Sequence, residues 1–385
     1  MKKIAILGGG ASALMCACFA SINNKVTIIE KNEKLGKKIL VTGNGRCNLT
    51  NLNMGSFAYN QNIDVFLQRF SDGNTIDFFN KIGLTVYVDQ QERVYPLSNS
   101  AVSVSDVLKN YLSKQNNVEF LTGKEFVSLQ NMNNQYKVVF ADNTNLVFDK
   151  VVAALGNYAD LSIFESLGIK CKPFKPSLCA LKAKIDKNLA GVRVSDVVLR
   201  CHTQNVNFKE FGEILFRQDG LSGIVTFNLS SYLARNNIQN ANIKIDFIPS
   251  LSIDKLKLKL LERKENLKNY KASDFLTGFL HNSLNKILLK NSKINPEINV
   301  EKISENQIDN LCKNIKEFNL EINGYLDNNQ VCTGGILLKE LTKNLESKTH
   351  KGLYFIGEMV DVDGVCGGYN LQWAWTSGKI VGENV

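Results

Sequence analysis

The first thirty residues restrict the fold more than any other part of the chain. An apolar run over residues 2–7, KKIAIL, ends in Gly8-Gly9-Gly10; residues 12–22 then carry a helical pattern, and a second apolar run over residues 25–29 closes on Glu30. Strand, tight turn, helix and strand in that order are the opening of a doubly wound α/β domain. The spacing Gly8-x-Gly10-x-x-Ala13, with an acid 22 residues past the first glycine, matches a dinucleotide fingerprint in its structural context. Gly8 permits the tight turn, Gly10 lets backbone approach a pyrophosphate, and Ala13 lets the helix lie close on the sheet. The helix start offers unpaired N–H groups and partial positive charge to phosphate, and Glu30 is placed to accept from ribose hydroxyls.

The opening superficially resembles a secretory signal, with two lysines before an apolar run. A glycine triplet inside that run, followed by KVTIIE, fits buried strand, turn and helix better. No segment reaches the roughly 18 uninterrupted apolar residues of a membrane helix. Nine cysteines at irregular spacing, without a CxxC pair, and three histidines (His202, His281, His350) suit neither a zinc site nor a disulfide framework. Reduced thiols and a cytoplasmic location are the expectation.

A length of 385 residues predicts two or three domains. VEFLTGKEFVSLQ and YKVVFADNTNLVF alternate like antiparallel strands, with Asp142-Asn143 as a turn, and residues 150–156 read as a strand buried on both faces. Residues 182–251 carry short strand-like pieces suited to a barrel, and residues 252–329 read as helices. α/β character returns at KGLYFIGE. The expected organisation is a discontinuous Rossmann-like domain, residues 1–181 and 330–385, interrupted by a β-rich insert (182–251) and a helical insert (252–329).

The two ends of the chain choose the ligand. A buried strand over residues 353–356 ends in Gly357-Glu358, and Gly367-Gly368 opens a last helix near Tyr369. In an FAD site an acid at such a strand end can hold ribityl hydroxyls, and a helix start at the pyrimidine end of the isoalloxazine favours negative charge there. An NAD domain has no need of this element. A second small-residue loop, GKKILVTGNGRCNLTN, follows the fingerprint closely, as a long flavin dinucleotide requires.

The segments GKKILVTGNGRCNLTN, RVYPLSNSAVSVSDVL, GEILFRQDGLSG, TGGILLKEL and GLYFIGEMVDVDGVCGGYNLQWAWTSGKIVG resemble the bacterial flavoproteins labelled BaiN/YhiN-like, the "aminoacetone oxidase family". The resemblance runs over nearly the whole chain. It implies an α/β fold with a GR2-type Rossmann-like FAD domain, built on a mixed or parallel sheet and interrupted by a barrel-like unit and a helical cap. Carried over by position, the cofactor contacts expected at the first turn are Gly8, Gly10, Ala11, Ser12 and Ala13, with Glu30 and Lys31 at the second strand end. The second loop adds Lys37, Gly43, Asn44, Gly45, Arg46, Cys47 and Asn48. Gly156, Gly357, Glu358, Asp363, Gly367, Gly368, Tyr369, Asn370 and Leu371 complete the set. Tyr369, Asn370, Gln372 and Trp373 are expected to line the pocket. Two departures from relatives stand out: AALGNYADLSIFESLG lacks a longer Gly/Ser/Thr-rich loop, and Arg217-Gln218 replaces a usual Thr-His pair, with Ile224 for a proline.

No histidine or cysteine sits in an attachment motif, so FAD is expected to be non-covalent. No second GxGxxG occurs in the insert, so NAD(P)H, as reductant, would dock transiently at the flavin face. Cys47 is the candidate catalytic thiol, as a proton donor, or in a redox pair with Cys366; a small packed residue is the plainer reading. Three functions remain open. One is an FAD-dependent oxidoreductase acting on a small molecule, for which the resemblance implies amine oxidation or reduction of a conjugated C=C bond. Another, implied by the resemblance, is reduction of uridine to dihydrouridine in ribosomal RNA. A third is a non-enzymatic FAD-binding protein. Net charge is +9, and residues 255–293 alone carry ten Lys/Arg against three acids, either a solvated helical face or a phosphate-binding surface.

Overall fold

The computed structural model describes residues 1–133, 135–204, 207–326 and 331–385. The chain divides into two compact units, Met1–Lys175 with Val331–Val385, and Pro176–Gln330. Among the described residues no helix is long and apolar enough to cross a membrane.

The first unit is built on a five-stranded sheet in the order Leu353–Phe355, Lys150–Ala153, Lys3–Leu7, Lys25–Glu30, Val118–Thr122. Every neighbouring pair is parallel, so the sheet is purely parallel rather than mixed. Ile4, Ile6 and Leu7 are fully buried, as a strand covered on both faces demands. Each such side chain contributes about 1.5–3 kcal/mol by leaving water. Leu7 pairs with both Ile29 and Ala153, so neighbouring strands end at one edge and deliver their following loops to the same place.

The helix Ala11–Ala20 is buried at eight of its ten positions, because the C-terminal helix Tyr369–Asn384 covers its outer side. The two approach so closely that a Cβ on Gly378 would lie 2.5 Å from the Ser12 carbonyl oxygen, and one on Gly382 2.6 Å from that of Cys16. The ends of the chain are thus locked together. Val118–Thr122, expected in an antiparallel run, joins the parallel sheet instead. The antiparallel meander is Phe126–Asn131, Tyr136–Phe140 and Asn145–Phe148, with Asn143 at φ +64 in its turn.

The second unit is a closed six-stranded barrel in the order Leu181–Ala183, Gly220–Ser222, Asn207–Phe216, Arg193–His202, Asn240–Asp246, Phe318–Tyr325. Its last strand comes after the helices Ile253–Asn266, Asn282–Asn291 and Glu305–Lys316. Barrel residues Leu199 and Ile243 share one core with Leu256, Leu260 and Leu311 of those helices. A boundary at 251/252 therefore does not separate two cores. The expected boundary at 181/182 falls after the start of this unit, and that at 329/330 lies outside the described residues.

Candidate functional site

The first turn is shaped by what its glycines permit. Gly8 has φ +104, and a Cβ there would lie 2.4 Å from the Ala154 carbonyl oxygen. Gly10 is the opposite case: a Cβ would meet nothing within 4 Å, so its outer side faces open space at the start of the helix Ala11–Ala20. That helix has no side-chain cap and no acid in its first turn, leaving the N–H groups around Ala11, Ser12 and Ala13 directed to the opening. Glu30 is anchored rather than idle: Oε2 accepts from the Gly9 N–H at 2.7 Å, and Oε1 from the Asn32 N–H at 2.8 Å. The acid thus also braces the turn. Lys31 is exposed and lies 3.7 Å from Glu125. Lys31, Asn32, Gly123, Phe140 and Asp142 line a cavity of about 490 Å³ beyond this strand end.

The second loop is a tight left-handed coil. Gly43, Asn44, Gly45 and Cys47 have φ of +54, +55, +80 and +60, a run that needs its glycines. Arg46 is exposed and stacks 4.7 Å over the Tyr95 ring. Cys47 is fully buried, and burial pushes its thiol up to about 12, against a smaller lowering by the Thr42 side chain. It is placed as a packed neutral thiol and does not face the opening. No disulfide joins Cys47 to Cys366.

This loop meets the last helix directly. A Cβ on Gly368, at φ +100, would lie 2.6 Å from the Thr50 carbonyl oxygen and 2.9 Å from Asn48 Oδ1. Asn51 Nδ2 donates to the Gly367 carbonyl at 3.1 Å, and Trp375 Nε1 donates to that of Leu49 at 2.9 Å. Asn48 Oδ1 and Thr50 Oγ1 are buried without a hydrogen-bond partner among the described residues. Such atoms carry a desolvation cost that a ligand donor relieves.

The strand end Gly357-Glu358 closes the third side. Gly357, at φ +62, would bring a Cβ within 2.6 Å of Ser12 Oγ, so this turn abuts the first helix. Glu358 forms an ion pair with Lys38, whereas the expected Lys37 is exposed. Gly156, at φ +67, stands with its open side toward Glu358 Oε2. Lys38 was not singled out from the sequence, and nothing local distinguishes it from its neighbour.

Several expected pocket residues make contacts within the protein. Trp373 is buried and its Nε1 donates to the Gly357 carbonyl; Gln372 is buried and accepts from Thr75 Oγ1 at 2.9 Å. Tyr369 is buried with its hydroxyl on the Asn53 carbonyl at 3.2 Å, and Asn370 clasps Gly364 through both its amide atoms at 2.9 Å. Asp363 is buried and its backbone pairs with Asn60. Leu371 is half-buried, packed against the core.

An open pyrophosphate turn, an anchored acid at the second strand end and orphaned acceptors at a second glycine loop fit a long dinucleotide. The class they define is that of FAD-dependent oxidoreductases. The chain belongs to the HI0933-like Rossmann family, whose profile matches residues 2–384. It is similar to the 3-dehydro-bile acid delta(4,6)-reductase of Clostridium scindens, 34% identical over 407 residues, spanning 100% of this chain and 98% of that protein. It is also similar to the ribosomal RNA dihydrouridine synthase of Haemophilus influenzae, 27% identical over 97% of this chain and 95% of that protein. Among solved structures, 3-ketosteroid delta1-dehydrogenase from Sterolibacterium denitrificans shares the fold, with TM-score 0.52, 12% identity, and coverage of 100% of this chain and 99% of that chain.

Proposed function

We propose that the protein takes electrons from NADH or NADPH and delivers hydride to a carbon–carbon double bond conjugated to a carbonyl in a small molecule. The observation that carries this reading is the docking of Gly368, at the start of the last helix, on Asn48 and Thr50. It joins two loops that one short ligand has no use for. When bound, FAD supplies the hydride and electron chemistry. The chain's own groups bind and orient: the N–H groups at the Gly10 opening take the pyrophosphate, and Glu30 with the cavity beside Lys31 takes the adenosine half. Asn48 Oδ1 and the N–H groups beginning the last helix take the polar edge of the ring. Trp373 and Trp375, both buried, back that loop junction through their hydrogen bonds to the Gly357 and Leu49 carbonyls.

The two relatives named above carry names that denote saturation of a carbon–carbon double bond, which supports this bond class over amine oxidation. A second reading, reduction of uridine in ribosomal RNA, is favoured by the basic segment 255–293. There, however, Lys257 pairs with Glu305 and Asp309, Lys290 approaches Asp186, and Arg263 donates to the carbonyls of Phe275 and Thr277. Lys255, Lys259, Lys268, Lys286 and Lys293 remain as exposed cations for phosphate. The small-molecule reading therefore stands first.

Anaerobic titration of the FAD-loaded protein with NADH and NADPH, followed by enones and ribosomal RNA as acceptors, tests it. Bleaching by either nicotinamide and reoxidation by an enone is the expected result. Reoxidation by RNA alone moves the assignment to the second reading, and a flavin that neither nicotinamide reduces sinks both.

A further inference from the structure

Four residues from four separate segments form a closed ring of polar contacts at the C-terminal edge of the parallel sheet. Lys38 Nζ pairs with Glu358 and donates to Asn157 Oδ1 at 3.0 Å. Asn157 Nδ2 donates to Cys332 Sγ at 3.1 Å, and the Cys332 N–H returns to Glu358 Oε1 at 3.3 Å. Lys38 belongs to the loop after the second strand and Asn157 to the turn after Lys150–Ala153. Cys332 sits in the strand Val331–Ile336, and Glu358 follows Leu353–Phe355.

We propose that Lys38 is a positioning residue for the cofactor site, holding the Glu358 carboxylate and the Asn157 amide in the arrangement that FAD meets. The proposal rests on the reading of this chain as an FAD enzyme and goes beyond it by assigning a role to a side chain outside the glycine motifs. A single ion pair reached by water on both sides adds little to stability, so holding the fold together is a poor account of this one. Lys38 is 33% exposed and Glu358 19%, and both lie beside Gly156 and Gly357, two strand-end glycines at positive φ. What the pair does achieve is orientation. Glu358 has two oxygens, one held by Lys38 and one by the Cys332 N–H, which fixes the carboxylate plane and leaves its remaining lone pairs in a defined direction. Without Lys38 the acid keeps a single backbone contact and is free to turn away from a hydroxyl donor. Tyr158, whose ring lies 5.7 Å from Lys38 Nζ, flanks the cation on its outer side.

The experiment is FAD titration of the deflavinated full-length protein and its variants, each checked for an unchanged thermal transition. K38Q is expected to weaken FAD binding by about tenfold, and K38R to restore it to within about threefold of wild type. E358Q is expected to lose a similar factor, and K38Q/E358Q to be no weaker than E358Q alone, because the two side chains act as one unit. Lys244→Gln, which breaks an exposed lysine–glutamate pair in the barrel unit, is the control for loss of charge. If K38Q does not fold, Asn157→Ala opens the same ring and is expected to weaken FAD binding by about threefold or more. A folded K38Q or N157A that binds FAD as wild type does, or losses that multiply in the double variant, overturns the proposal alone. Wild-type protein that takes up no FAD overturns the underlying reading and the proposal with it.

Discussion

Asn51 Nδ2 donates to the Gly367 carbonyl at 3.1 Å, across 316 residues of sequence. One residue further on, Gly368 holds φ +100 with no room for a Cβ against the Thr50 carbonyl. Gly368→Ala therefore meets two penalties, backbone strain of about 1–3 kcal/mol and displacement of the helix start from the second loop. The expected outcome is loss of FAD affinity by more than about tenfold, with a thermal transition lowered but still cooperative. Equilibrium FAD titration beside a thermal melt checks it; an alanine variant that keeps full affinity means the junction does not shape the ligand site.

The first strand, turn, helix and second strand were legible in the sequence because their signals are local: apolar runs, glycine spacing and an acid at a fixed distance. The convergence of residues 43–51 with 357–368 came from a resemblance between motifs, and the sequence offers no local sign of it. Residues 318–325 are a different case. Phe318, Leu320 and Ile322 alternate with polar neighbours, a strand signal present in the sequence but masked by the long helix-rich stretch before it, which extends the helical expectation over the barrel's closing strand. Lys38 was illegible for a physical reason: Lys37 and Lys38 are the same chemistry one position apart, and only the path of the loop turns one to Glu358 and the other to solvent.

Thiol chemistry gives a direct check on whether Cys47 is packed or reactive. With the thiol pushed up to about 12 by burial, the thiolate fraction near pH 8 is on the order of one in ten thousand. In the native protein the half-buried Cys366 and Cys332 are expected to be alkylated by iodoacetamide well before Cys47, with Cys16 and Cys18, also buried, equally slow. Peptide mass spectrometry over a time course reads the order. Alkylation of Cys47 at the rate of Cys366 means that the loop opens in solution, and its role as a proton donor returns.

Glu210 makes the barrel unit sensitive to pH. Burial beneath the helix Ile224–Arg235 raises its carboxyl to about 7, with the Asn228 amide opposing at 2.6 Å. The folded form holds its proton more tightly than the unfolded chain does. The stabilising contribution is thus complete below about 4.5 and is lost as pH rises through about 7, a difference on the order of 3 kcal/mol. Glu210→Gln keeps an oxygen for Asn228 and removes the titration. The variant is expected to match wild type near pH 4.5 and to be the more stable near pH 8.5. Urea unfolding at the two pH values checks it; an equal difference at both means Glu210 is solvated in the folded protein.

Gly8 and Gly10 lie two residues apart and predict opposite phenotypes. At Gly8 an added Cβ collides with the Ala154 carbonyl at 2.4 Å on a backbone of φ +104, so Gly8→Ala strains the turn with or without ligand and is expected to lower the stability of the cofactor-free protein by about 1–3 kcal/mol. At Gly10 the backbone has φ −82, which alanine adopts freely, and the Cβ enters empty space. The only cost to the cofactor-free protein is a poorer helix cap, at most about 1 kcal/mol. That empty space is where a pyrophosphate must approach the helix start, and a methyl group there holds it away from the N–H groups. Gly10→Ala is therefore expected to fold nearly as wild type and to bind FAD at least about tenfold more weakly. Melting curves of the cofactor-free variants, set against their FAD titrations, separate the two effects. A Gly10→Ala protein with normal affinity places the pyrophosphate elsewhere, and with it the adenosine half assigned to Glu30 and the cavity beyond it.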